Sequence, residues 1–157
     1  MHSIAGSTVI KFTNTDPALL SVDGMVEEQD TNLLLGKSPV VSVTIDSFPA
    51  LIQKMETQMP QLPGNVIVKH TKPRRFIAII YDVEQEPICQ EIWIRDVLKQ
   101  LIDYCEQYQI KTLGMPLLGN AYGKITETTS QQLLQQVLLE YRHQYPKKIL
   151  IYRFTET

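Results

Sequence analysis

An alternation of helix and strand patterns in the second half of the chain limits the possible folds most. From Gln90 to Tyr108 apolar residues recur at spacings of three and four, which predicts an amphipathic helix. Lys111 to Leu118 reads as a strand, Thr126 to Tyr145 as a second helix and Lys148 to Phe154 as a closing strand. Crossover helices join parallel strands, so we predict an α/β fold of three layers with a mixed central sheet.

The first half is richer in strand patterns. Runs of β-prone residues predict strands over Ser7 to Thr13, Leu19 to Val26 and Pro39 to Ile45. Ser47 is placed as an N-cap and Pro49 lies early in the next turn, so a helix is predicted over Ser47 to Met59. Two more strands, Asn65 to His70 and Arg75 to Asp82, flank the breaker Thr71-Lys72-Pro73 and are predicted to form a hairpin at an edge of the sheet.

The size and composition of the chain predict one domain over residues 1–157. The sequence has 157 residues, of which 43% are hydrophobic and 20% charged, which is ordinary for a globular domain with one core. The sequence contains no run of about 18 apolar residues and no recognisable leader, so we expect a cytoplasmic protein without membrane partners.

The chain shows no pattern typical of a metal or a cofactor. Cys89 and Cys105 lie sixteen positions apart, which fits neither a redox pair nor half of a zinc site. The three histidines have no metal-binding spacing and are expected on different elements. Basic residues are scattered, with a net charge of -2 and one cluster at Lys72 to Arg75, so broad binding to nucleic acid is not indicated.

Glu27, Glu28 and Asp30 place three carboxylates within four residues, after the predicted strand that ends at Val26. Acids that lie close together can carry out acid–base chemistry when burial separates their pKa values. A solvated loop without chemistry is the alternative. The sequence leaves both open.

Gly119 to Gly123, with the sequence GNAYG, follows a predicted strand and precedes a helix. Open α/β sheets bind ligands at the carboxyl ends of their strands, and free N–H groups near a helix N-terminus favour anions. Glycine permits close approach of another group to the backbone, and Tyr122 could cover a sugar or a ring. The segment is either such an anion-binding loop or simply a tight strand-to-helix turn.

The order of these motifs resembles that of the macro domains, an α/β family that binds ADP-ribose. In that family an apolar strand leads into a proline, then into a Gly-x-Gly-x-Tyr-Gly or similar loop around the diphosphate and distal ribose, then into a long helix. Met115 to Gly123, MPLLGNAYG, is similar in letters and position. Most of the resemblance lies between Asn65 and Phe154.

The resemblance implies a set of ligand-binding residues. Asp16 would match the family's acid at adenine, Gly36 and Val40 would belong to the second phosphate loop, and Gly119, Asn120, Ala121, Tyr122 and Gly123 would hold the distal ribose and diphosphate. Where the family has Asn-Ala-Ala-Asn this chain has Glu27 to Asp30, so Asp30 is the candidate base or water-orienting group. Pro39 has no N–H and one glycine of the second loop survives, so that part of the family pattern is altered.

The implied function is binding of ADP-ribose or a related nucleotide, with ADP-ribose or an ADP-ribosylated protein as partner and no catalysis. Hydrolysis of ADP-ribosyl groups is an alternative, as is a degenerate macro fold that serves as a protein-interaction module. We expect Gly119→Val to block the ligand and to leave the fold intact, because the added side chain would fill the ligand's path.

Overall fold

The computed structural model describes residues 2–35 and 61–153 of the chain. The strand predicted over Pro39 to Ile45 and the helix predicted over Ser47 to Met59 lie outside these residues. So do the candidate ligand-binding residues Gly36 and Val40.

A seven-stranded mixed sheet forms the centre of the described structure. Its strands are β1 (His2–Ala5), β2 (Thr8–Thr13), β3 (Gly24–Asp30), β4 (Val66–Lys69), β5 (Arg74–Tyr81), β6 (Thr112–Met115) and β7 (Lys148–Tyr152). Their order across the sheet is β1-β2-β7-β6-β3-β5-β4. The strand pairs β2–β7, β7–β6, β6–β3 and β3–β5 are parallel. At the two edges of the sheet, β1 pairs with β2 and β4 pairs with β5 in antiparallel orientation. The predicted α/β class and mixed sheet are confirmed.

Two helices of the described residues, α1 (Glu91–Tyr108) and α2 (Glu127–Glu140), pack on the sheet and on each other. Their buried side chains meet those of β6 and β7, among them Leu101, Leu134, Leu113 and Ile149. Both helices therefore cover the same face of the sheet. Neither α1 nor α2 is long and apolar enough to cross a membrane.

The apolar patterns predicted α1 and the β4–β5 hairpin correctly, whereas several other boundaries were wrong. The strand predicted at Leu19 begins at Gly24 instead, because Asp16 caps a short 3₁₀ turn over Pro17–Leu19. That strand continues to Asp30, so the carboxylates belong to β3 and not to a loop. β6 ends at Met115, α2 ends at Glu140, and the short edge strand β1 was not predicted.

The parallel strands β2, β7, β6, β3 and β5 all end at one edge of the sheet. Polar residues follow or terminate these strands there. In open α/β sheets this carboxyl edge is where ligands bind, so it is the first place to look for a site.

Candidate functional site

A cavity of about 190 Å³ opens at the carboxyl edge, between the ends of β3, β6 and β7. One wall is formed by the segment that follows β6, from Pro116 to Tyr122, which contains most of the predicted ligand-binding loop. The residues lining the cavity are Glu27, Glu28, Leu35, Pro116, Leu117, Asn120, Ala121, Tyr122, Glu127, Tyr152 and Arg153. Three residues of the predicted ligand-binding loop, Asn120, Ala121 and Tyr122, thus line this cavity.

Glu28 is the most constrained polar side chain of the cavity wall. Its Oε2 accepts a hydrogen bond from the backbone N–H of Gly119 at 3.1 Å and another from the hydroxyl of Tyr81. Tyr81 is buried at the end of β5, and its ring meets that of Tyr122 edge to face at 5.8 Å. The carboxylate therefore links β3, β5 and the loop after β6.

The half-buried position of Glu28 changes the acid–base properties of its surroundings. Burial raises the pKa of Glu28, and the hydrogen bonds from Tyr81 and Gly119 oppose this rise only in part. Burial and the negative charge of Glu28 raise the pKa of Tyr81. Burial, with a smaller contribution from Glu28, raises the pKa of Cys89 to about 12, which disfavours the thiolate form at neutral pH.

Gly119 and Gly123 are required by the protein's own packing. Gly119 has a φ of +83°, and a Cβ built on it would lie 2.7 Å from Ile125 and 2.8 Å from Ile94. A Cβ on Gly123 would lie 2.6 Å from the Cβ of Cys89. Distances this short cannot occur without moving the neighbours, so both glycines let the loop pack against the core. Gly119→Val is therefore expected to disturb the fold, contrary to the expectation from sequence.

Several backbone groups of the loop already have partners within the protein. The N–H of Gly119 donates to Glu28, and the N–H of Asn120 donates to the carbonyl of Leu117 at 3.2 Å. The Asn120 side-chain amide donates to the carbonyl of Ile125 at 3.0 Å. Tyr122 is 49% exposed and lines the cavity. The loop is thus a closed turn that presents an aromatic side chain.

The N-terminus of α2 also faces the cavity. The Thr126 hydroxyl accepts a hydrogen bond from the N–H of Thr129 at 3.1 Å and caps the helix. Glu127 in the first turn places a carboxylate at the positive end of the helix dipole. Its Oε2 lies 3.9 Å from Arg153, whose guanidinium also lies over the ring of Phe12.

Asp30 and Asp16, the two aspartates that the resemblance singled out, do not line the cavity. Asp30 is 5% exposed, and its Oδ1 accepts hydrogen bonds from the N–H groups of Asn32 at 2.7 Å and Leu34 at 3.3 Å. Asp16 is exposed, and its Oδ1 accepts from the N–H of Ala18 at 2.9 Å. Each carboxylate closes the turn that follows its strand.

The cavity contains residues that the sequence did not single out. Glu28 was noticed only as part of an acidic run. Val26, Glu28 and Asp30 are nevertheless spaced by two residues, as side chains on one face of a strand are. Tyr152 ends β7 and Arg153 follows it, and both line the cavity, whereas Tyr81 ends β5 and contacts the cavity wall through its hydrogen bond to Glu28. These residues share a place at the carboxyl end of a parallel strand, which the sequence alone does not reveal because it depends on the sheet order.

Comparison with known proteins shows likeness in structure only. No family model matches the sequence, and no curated protein matches it. Among solved structures, the macrodomain of Thermus aquaticus DarG aligns with a TM-score of 0.65 at 17% identity, covering 92% of this chain and 98% of its own. The Oceanobacillus iheyensis macrodomain with ADP aligns with a TM-score of 0.69 at 14% identity, covering 99% and 88%.

The macrodomain of Mycobacterium tuberculosis DarG gives a TM-score of 0.63 at 14% identity and covers 91% of this chain and 97% of its own. These alignments extend over nearly the whole chain in each case. The chain therefore has the macro-domain fold, at low sequence identity. The resemblance suggested by Met115 to Gly123 is confirmed at the level of the fold.

Proposed function

We propose that this protein binds ADP-ribose or a related nucleotide diphosphate-ribose in the cavity at the carboxyl edge of the sheet, without catalysis. The main support is that Asn120, Ala121 and Tyr122, from the loop between Gly119 and Gly123, line this cavity and that Tyr122 is exposed. Macrodomains of the same fold from Oceanobacillus iheyensis have been solved with ADP and with ADPR.

The chemistry of the wall suits a nucleotide sugar. Tyr122 offers an aromatic face for a ring, and Arg153 offers a guanidinium that can pair with a phosphate. Asn120 and Glu28 offer groups that hydrogen-bond to hydroxyls. The natural partner would be free ADP-ribose or an ADP-ribosylated protein, and the cytoplasm is the compartment we propose.

The absence of catalysis is inferred from Asp30. Its Oδ1 already accepts hydrogen bonds from Asn32 and Leu34, and the side chain does not line the cavity. A general base must reach the attacking water, directly or through one other water. We therefore propose that Asp30 stabilises the turn after β3 and takes no part in chemistry.

Hydrolysis of an ADP-ribosyl group is the second candidate, and Glu28 favours it. This carboxyl lines the cavity and burial raises its pKa, which brings it closer to the range in which a carboxyl exchanges protons near neutral pH. If the protein is a hydrolase, Glu28 and not Asp30 is the residue that we expect to act as acid or base.

Calorimetric and thermal-shift titration with ADP-ribose tests the proposed binding. A ligand at about 100 times its dissociation constant stabilises the folded state by roughly 2.7 kcal/mol. Ala121→Trp should weaken binding at least tenfold by filling the cavity, whereas Leu139→Trp introduces the same side chain at an exposed position on α2 outside it. The proposal fails if millimolar ADP-ribose leaves the melting temperature of the unmodified protein unchanged, and a protein-interaction module would then be favoured.

Incubation with a mono-ADP-ribosylated protein decides between binding and hydrolysis. Without catalysis the modification persists while a working hydrolase removes it from the same sample. Loss of the modification with the unmodified protein but not with Glu28→Gln would replace our first proposal by the second.

A further inference from the structure

The backbone amide of Gly119 already holds an anion that belongs to the protein. The Oε2 of Glu28 lies 3.1 Å from this nitrogen, within hydrogen-bonding distance. A phosphate oxygen that bound the same N–H would have to displace this carboxylate. It would also leave the hydroxyl of Tyr81 without the acceptor that it has now.

The charges around this point disfavour a second anion. Glu27 and Glu127 line the same cavity as Glu28. Arg75 pairs with Glu27 at 2.6 Å, so this carboxylate already has a cationic partner. The guanidinium of Arg153 lies 3.9 Å from Glu127, which is too far for a hydrogen bond. Glu28 differs from Glu27 and Glu127, because its described partners are uncharged: a backbone N–H and a tyrosine hydroxyl.

We infer that Glu28 determines which chemical class of ligand occupies its end of the cavity: it excludes phosphate from the amide of Gly119 and accepts the hydroxyl groups of a sugar there. The inference rests on the proposed function and specifies how a nucleotide diphosphate-ribose lies in the cavity. The ribose is placed against Glu28, and the phosphates are placed towards Arg153.

A carboxylate is well suited to bind a sugar. Its two oxygens accept about four hydrogen bonds in all. The two contacts from Gly119 and Tyr81 both use Oε2, which leaves acceptor capacity for the neighbouring hydroxyls of a ribose. Hydroxyls donate to this group without adding charge, whereas a phosphate about 5 Å away would be repelled by a few kcal/mol at the effective dielectric constant of protein surfaces.

Titration with inorganic pyrophosphate, followed by the ¹H–¹⁵N signals of Gly119 and Asn120, tests the exclusion directly. We expect no saturable shift of these signals in the unmodified protein. We expect a saturable shift in Glu28→Ala, with an apparent affinity at least about tenfold higher, because the amide and its surroundings are freed of the carboxylate.

Two further variants keep the test decisive. Glu28→Gln removes the charge and keeps a side chain of the same shape, so it gives an intermediate affinity and replaces the alanine variant if that variant does not fold. Glu27→Gln removes an equal charge from the same cavity without a contact to Gly119. Equal gains in Glu27→Gln and Glu28→Gln, or a saturable shift already present in the unmodified protein, overturn the inference.

A comparison of ADP with ADP-ribose tests the sugar. ADP ends in a phosphate where ADP-ribose continues to a second ribose, so the unmodified protein should bind ADP-ribose about tenfold more tightly, and Glu28→Ala should lose this preference. An unchanged preference in Glu28→Ala contradicts the inference while leaving the proposed function in place. If ADP-ribose binds no variant, the proposed function fails, and the pyrophosphate titration still decides whether Glu28 excludes anions.

Discussion

The two ends of β3 each carry a carboxylate that binds backbone N–H groups beside β6. At the amino end the Oδ2 of Asp23 accepts from the N–H groups of Lys111 and Thr112, both at 3.1 Å. At the carboxyl end Glu28 accepts from the N–H of Gly119. Asp23 is exposed and lines no cavity of the described residues, whereas Glu28 is half-buried and lines the candidate site.

The comparison shows how burial gives the same contact two different consequences. Water solvates the exposed Asp23 carboxylate, so its hydrogen bonds fasten β3 to β6 at little cost. Glu28 loses much of that solvation, and burial raises its pKa. A group held in this way at a cavity wall is a candidate for function, while its counterpart is a strand connection.

The backbone N–H groups of Thr112 and Gly119 donate to Asp23 and Glu28. Substituting valine at these two donor residues should give the largest difference in stability between the two ends of β3. Gly119→Val keeps the N–H but places a β-branched residue at a φ of +83° and within 2.8 Å of Ile94. We expect a loss of about 3 kcal/mol or more, or about 10 °C in melting temperature, measured by thermal unfolding. Thr112→Val also keeps its N–H and suits a strand, so it should change the melting temperature little.

A fall in melting temperature that is the same for both valine variants would mean that the carboxyl end is no more tightly packed than the amino end. Normal stability of Gly119→Val would show that neither the positive φ nor the close packing at this position requires glycine.

Local pattern was sufficient for elements whose interactions are regular. The apolar spacing from Ile94 to Cys105 predicted α1 correctly, since all of its inward positions are buried. The same reasoning predicted the β4–β5 hairpin from two apolar runs around a breaker. It also identified Gly119 and Gly123 as special positions, because glycine there is a visible local signal.

The reasons for those glycines, and the role of Glu28, depend on contacts between distant residues. Glu28 bonds to Tyr81 and Gly119, which are 53 and 91 positions away in sequence. Cys89 and Ile94 pack against the two glycines from a segment some 25 to 35 positions earlier. An acidic run such as Glu27 to Asp30 is unusual in a strand, so sequence propensity placed it in a loop, and pairing with β5 overrode that propensity.

Removal of the exposed carboxylate tests the amino end. Asp23→Ala breaks the hydrogen bonds to Lys111 and Thr112 and should lower the free energy of unfolding by about 1 kcal/mol, or roughly 2–4 °C in melting temperature. Asp103→Ala removes an exposed aspartate from α1 and serves as the control. Affinity for ADP-ribose should be unchanged in Asp23→Ala, and a loss of affinity would mean that the two ends of β3 do not have separate roles.

The smallest effect is expected from the pH dependence of the buried carboxylate. The pKa of Glu28 is raised in the folded protein, so the folded state holds this proton more tightly than the unfolded state does. Its contribution to stability is full below the ordinary pKa of glutamate, about 4.3, and is lost as pH rises through the raised value. Glu28→Gln cannot ionise and therefore escapes this loss. The melting temperature of Glu28→Gln should rise relative to that of the unmodified protein as pH rises from 5 to 8, and a constant difference over this range would show that burial does not raise the pKa of Glu28.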